Sequence, residues 1–200
     1  MLPFILTAIL IELTPGPNMT WLAVLGATRG RGAALAAVLG ICIGLAFAGM
    51  VAGIGLSALL SAFPILLTAL RWTGTLYLFY LAYDAWQDSD QTHLDVEQPS
   101  SVYFVQGFVS NALNPKAYLF YGAILPQFFN ASNSPMYEAI VFTTIYVFIA
   151  TIIHTIIALL SGSIASWLAA SPQAKTVRRI LAVAIAIAAI WFFISTGSLK

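Results

Sequence analysis

Six long apolar stretches restrict what this chain can fold into more than any other feature. They cover about residues 2–25, 34–60, 65–86, 102–125, 138–161 and 180–197. A helix rises about 1.5 Å per residue, so about 20 apolar residues cross roughly 30 Å of hydrocarbon. The apolar residues surround each helix and do not alternate as in a strand, which favours six membrane-spanning helices over a transmembrane barrel.

The composition supports lipid as the surrounding solvent. Hydrophobic residues make up 60% of the chain and charged residues 8%. A water-soluble domain carries roughly 25% charged residues, because its surface must be hydrated. We therefore expect an all-α, multi-pass integral membrane protein embedded in a lipid bilayer. The net charge of +1, without a basic patch, gives no indication of a nucleic-acid partner.

An acidic linker over residues 87–101 divides the chain into two halves of about 1–86 and 102–200. The linker contains Asp88, Asp90, Asp95 and Glu97 but no Lys or Arg. Since no soluble module interrupts the apolar stretches, the sequence predicts a single transmembrane domain over residues 1–200. Each half holds an odd number of spans, so the second half would be inverted relative to the first.

The two halves share a break at corresponding positions. The first helix is interrupted at residues 14–18 (Thr-Pro-Gly-Pro-Asn) and the fourth at residues 114–116 (Asn-Pro-Lys). Proline removes a backbone donor and clashes with the preceding turn, so each helix should kink or break there. Matched broken helices in inverted halves indicate the midplane binding site of a transporter. We predict a substrate site formed by Pro15, Gly16, Pro17, Asn18, Asn114, Pro115 and Lys116.

Each of these residues also has a purely structural interpretation. Prolines commonly kink membrane helices without marking a site. Asn18 and Asn114 could cap the backbone groups that the breaks leave without partners. Lys116 would need a wet cavity or a carboxylate partner, either from the substrate or from an acid such as Glu12 or Asp84.

Three ionisable residues are candidates for proton coupling. Glu12 lies about ten residues into the first stretch, hence roughly 15 Å deep. An ionisable group in the bilayer costs at least about 2.5–3.5 kcal/mol on insertion scales, so its presence needs a reason. His154 in the fifth stretch and Asp84 near the end of the third follow Glu12 in order. The structural alternatives are a hydrogen-bonded acid, a packing histidine and a solvated interfacial acid.

Several motifs resemble the LysE/RhtB family of amino-acid exporters. Residues 13–18 (Leu-Thr-Pro-Gly-Pro-Asn), with Gly30 and Gly32, resemble its N-terminal signature. Residues 71–78 are similar to its third-helix pattern, and residues 107–117 and 125–128 resemble its fourth-helix block. The resemblance spans about residues 10–130, and the last 70 residues carry no motif of this kind.

The resemblance implies export of amino acids or close derivatives from the cytoplasm across a bacterial inner membrane, driven by the proton gradient and without a cofactor. The residues by themselves indicate only a small transporter with an inverted repeat. They leave open which amino acid is carried, and whether the protein acts as one copy or as a homo-oligomer.

Two other functions are compatible with a small membrane protein. A metal-cation exporter would need more clustered carboxylates or Cys and His ligands than the apolar stretches offer. A membrane-embedded enzyme could use Ser57 with His154, but such a site also needs oxyanion donors.

Basic residues near the helix ends predict the orientation. Six spans place Arg29, Arg31, Lys175, Arg178 and Arg179 on one side, against Arg71 and Lys200 on the other. Because Lys and Arg accumulate on the cytoplasmic side, we expect both termini in the periplasm and the acidic linker in the cytoplasm.

Overall fold

The computed structural model describes residues 1–14, 16–52, 64–88, 98–130 and 134–197. These ranges contain eight α-helices: α1 Leu2–Leu13, α2 Pro17–Val51, α3 Pro64–Asp88, α4 Ser100–Ala112, α5 Pro115–Leu119, α6 Pro135–Gly162, α7 Ala165–Ala170 and α8 Ala174–Gly197. A π-helical turn, Phe120–Ile124, and a 3-10 turn, Leu125–Phe128, continue α5. The predicted all-α fold is confirmed, and the described ranges contain no strand.

Three of the described helical segments are long and apolar enough to cross a membrane. They are Pro17–Val51, Pro135–Ala170 and Ala174–Ile194, while α1 is a shorter apolar helix. Gly30 has φ 86° and ψ 179°, which interrupts α2 and separates residues 17–29 from residues 31–51. A positive φ of this kind favours glycine. The interruption falls between the first two predicted spans, and the count of six crossings stays a prediction.

The long helix α2 lies at the centre of the molecule. It packs most extensively against α4 and α6, while α3 packs against α8 and α1 against α6. Glycines allow the close approach of α2 to α4. A Cβ on Gly40 would lie 2.0 Å from the Phe104 carbonyl oxygen, and one on Gly107 would lie 2.2 Å from that of Ala37. Neither position can accept a side chain unless the two helices separate.

Large apolar side chains cover the outside of the helices, and polar side chains lie inside. Leu10, Phe148 and Ile194 are mostly exposed, whereas Glu12 and Asn111 are buried. Water would disfavour such an arrangement, but a lipid solvent requires it, because polar groups in a bilayer face the interior of the helix bundle. The distribution supports an integral membrane protein.

Candidate substrate-binding cavity

Both predicted helix breaks face a single cavity of about 390 Å³. The first break separates α1 from α2, and the second separates α4 from α5. Of the residues predicted from the sequence to form the substrate site, those that line the cavity are Gly16, Pro17, Asn18, Asn114 and Lys116. Pro115 is fully buried at the start of α5. Pro15 lies outside the described residues.

The first break follows from local chemistry at the end of α1 and the start of α2. The Thr14 hydroxyl donates to the Leu10 carbonyl at 2.9 Å. Gly16 is extended and forms the N-cap of α2, and Pro17 occupies the first helical position. Proline is well suited to that position, because an amide hydrogen there would have no intrahelical acceptor.

The second break is fixed by a side-chain cap. The Asn114 side-chain oxygen accepts a hydrogen bond from the Lys116 amide at 3.0 Å, and Pro115 occupies the first position of α5. Asparagine is among the preferred N-cap residues because its oxygen satisfies an amide that the helix leaves free. The side chain of Asn114 therefore has the capping role that was its structural interpretation, and it also lines the cavity.

Lys116 connects the two breaks. Its Nζ donates to the carbonyl oxygens of Ile11 at 2.7 Å and of Thr14 at 3.3 Å. These carbonyls lie at the C-terminal end of α1, where the helix dipole favours a cation. The sequence predicted a carboxylate or a wet cavity as the partner of this ammonium group. The structure provides backbone carbonyls at the wall of the cavity.

Glu12 and His154 face the same cavity from α1 and α6. Glu12 is 5% exposed and accepts a hydrogen bond from the Tyr146 hydroxyl. Its second carboxylate oxygen lies 3.7 Å from Nε2 of His154. The Tyr146 ring stacks on Phe120, with 3.9 Å between the ring centroids, which holds the hydroxyl in place. Two of the three proton-coupling candidates thus form one polar cluster.

Asp84 lies elsewhere. It accepts a hydrogen bond from Nε2 of Gln106 at 3.3 Å and lines a separate cavity of about 30 Å³. Arg29 and Arg178 line the same small cavity. Since these arginines belong to the predicted cytoplasmic group, Asp84 lies toward that side of the protein.

Sequence reasoning missed two polar residues of the larger cavity, Asn111 and Tyr146. Asn111 lies one turn before the second break, and its Oδ1 accepts a hydrogen bond from Nδ2 of Asn18 at 3.1 Å. Tyr146 shares the buried face of α6 with Ala150 and His154. The four-residue spacing of these positions is the signal that could have revealed Tyr146, because residues at this spacing share a helix face.

The two alternative functions, an enzyme and a metal-cation exporter, depend on other residues. Ser57, which an enzyme would require, lies outside the described residues. Within the described ranges, no three His, Cys, Asp or Glu side chains are grouped so that they could hold a metal ion.

Apolar helices, with two breaks facing one cavity, define a membrane transporter built on interrupted helices. Residues 9–196 match the family model described as LysE type translocator, and the chain belongs to this family. The match extends to residue 196 and so covers most of the last 70 residues, in which the sequence showed no motif.

Curated relatives include named efflux proteins. The chain is 26% identical to the homoserine/homoserine lactone efflux protein of Salmonella typhi, over 88% of this chain and 87% of that protein. It is 31% identical to the leucine efflux protein of Enterobacter sp. (strain 638), over 64% and 63% of the two chains. An uncharacterized membrane protein of Bacillus subtilis (strain 168) is 28% identical over 98% of both chains. No solved structure matches the chain.

Proposed function

We propose that this protein exports amino acids or close derivatives from the cytoplasm across a bacterial inner membrane, coupled to the proton gradient. The observation that carries the proposal is the shared cavity at the two breaks, with Lys116 bonded across them. The relatives named for efflux of homoserine, homoserine lactone and leucine support an amino-acid substrate.

The lining of the cavity suits a small zwitterion. Its volume of about 390 Å³ falls within the roughly 300–1,000 Å³ of ligand pockets. Most of the wall is apolar, from residues such as Leu45, Phe120 and Trp191. Asn18 and Asn111 add amide groups that can donate and accept hydrogen bonds. This combination favours a substrate with polar ends and an aliphatic or short side chain.

Glu12 is the proposed proton-coupling group, and His154 is the next candidate. Both are buried, and their side chains are 3.7 Å apart at the cavity wall. A proton that binds Glu12 removes a negative charge beside the substrate, so protonation and substrate binding would influence each other. Asp84, at the separate small cavity, is the third candidate.

A metal-cation exporter is the alternative function, and a membrane-embedded enzyme is a more distant one. The described lining of the cavity contains one carboxylate, that of Glu12. Divalent cations that prefer oxygen take six to eight ligands, and softer cations prefer Cys and His. The chemistry of the wall therefore favours the amino-acid proposal.

Transport by the purified protein in liposomes would test the proposal. We expect saturable exchange of labelled homoserine or leucine, and accumulation when a pH gradient is imposed. Empty liposomes are the control. The proposal would be wrong if no amino acid in a broad panel were exchanged while a divalent cation was transported.

A further inference from the structure

The first turn of α2 lies at the cavity wall, and the described residues supply no acceptor for its first backbone amides. The N-cap is Gly16, and in the described part of the chain no side chain caps this helix end. Pro17 has no amide hydrogen, so the first donors are the amides of Asn18 and Met19, and both residues line the cavity. The first amides of a helix have no intrahelical acceptor, and together with the helix dipole they attract anions.

A side-chain donor lies in the wall beside this turn. Asn111 is 3% exposed, and its Oδ1 is bonded to the Asn18 side chain. Its Nδ2 has no hydrogen-bond partner among the described residues. A buried donor without a partner is destabilising, so a ligand that supplies an acceptor there gains affinity. The Asn18 contact fixes the Asn111 amide relative to the turn of α2.

Gly16, the residue before this turn, borders open space. A Cβ added to it would have no atom within 4 Å. Its backbone is extended, with φ −148° and ψ 166°, a conformation that any residue adopts. Neither strain nor packing against described neighbours therefore requires glycine here. A missing side chain beside unpaired donors is the arrangement expected where a ligand group must approach the backbone closely.

We propose that the first turn of α2 and Nδ2 of Asn111 together bind the carboxylate of the exported amino acid. This assignment rests on the proposed function and specifies which group of the substrate the protein binds. A neutral acyl oxygen, as in a lactone or an ester, can use the same donors but gains less from the helix dipole.

Asn111→Asp is the informative variant. Aspartate keeps an oxygen that accepts the Asn18 hydrogen bond and replaces the free NH2 with a carboxylate oxygen of similar size. The substitution therefore keeps the hydrogen bond between residues 18 and 111. It replaces a donor that attracts an anion with a carboxylate oxygen that repels one. Asn130→Asp is the matched control, because Asn130 is exposed and does not line the cavity.

The measurement is binding of leucine and of leucine methyl ester to the purified protein, with homoserine and its lactone as a second pair. We expect Asn111→Asp to weaken binding of the free amino acids about 10- to 100-fold, from the loss of a hydrogen bond to a charged group and the added repulsion. The ester and the lactone should lose much less. Thermal unfolding of both variants in detergent tests whether the fold is retained.

The possible results separate the two proposals. If the native protein binds amino acids and Asn111→Asp binds them equally well, the carboxylate assignment is wrong and the export function stands. An equal loss for amino acids and esters also refutes the assignment, since it shows that Asn111 does not distinguish charge. If the native protein binds no compound in a broad panel of amino acids, esters and lactones, the amino-acid function itself is refuted, and the assignment with it.

Discussion

Substitution of Glu12 by Gln tests proton coupling with little change to the structure. Glutamine keeps an oxygen that can accept the Tyr146 hydroxyl and a similar volume next to His154. A hydrogen bond to a charged group contributes about 1.5–3 kcal/mol and a neutral one about 0.5–1.5, so this contact weakens by roughly 1 kcal/mol. Removal of a buried charge offsets that loss. We expect the folding stability to change by no more than about 1 kcal/mol.

The effect on transport should be much larger. If each amino acid is exchanged for one proton, a gradient of one pH unit corresponds to about 1.36 kcal/mol and supports about tenfold accumulation. A residue that cannot titrate removes this coupling. We therefore expect Glu12→Gln to retain exchange of labelled substrate between the two sides and to show no accumulation above equilibrium.

The assay compares counterflow with pH-driven accumulation in liposomes that contain equal amounts of protein. Glu138→Gln is the matched control, because Glu138 is also a buried acid of a membrane helix and does not line the cavity. That variant should accumulate substrate as the native protein does. Undiminished pH-driven accumulation by Glu12→Gln would refute the reasoning and return Glu12 to a structural role, with His154 and Asp84 as the remaining candidates.

Four further predictions concern the breaks, the helix packing and the orientation. Lys116→Met should abolish exchange while the protein remains inserted and monodisperse, because the carbonyls at the end of α1 lose their cation; normal exchange would contradict this. Gly16→Ala should raise the half-saturation concentration several-fold without lowering the thermal midpoint, since the methyl group enters space free of protein atoms. Gly40→Val should lower stability by about 1–3 kcal/mol in thermal unfolding, because it forces α2 away from α4; an unchanged midpoint would be inconsistent with the close packing. A cysteine at position 200, in place of Lys200, should react with an impermeant reagent from the periplasmic side, and labelling only from the cytoplasm would reverse the predicted orientation.

The sequence by itself determined the features that depend on neighbouring residues. Pro17 begins α2, because it lacks an amide hydrogen and the first helical position has no use for one. Asn114 caps α5 through an amide two residues away. The apolar stretches determined the helical class, since a bilayer offers no partner for free backbone groups. These rules act over a few residues and can be read directly from the chain.

Only the tertiary structure decided which polar groups meet. Lys116 bonds to the carbonyl of Ile11, 105 residues earlier in the chain. Glu12 accepts a hydrogen bond from the hydroxyl of Tyr146, which lies 134 residues later in the chain. Asp84 lies at a different cavity. Such contacts depend on which helices pack together and on how each is rotated about its axis. When apolar residues surround a helix on every side, its hydropathy does not define that rotation, so the sequence could name the polar residues but could not pair them.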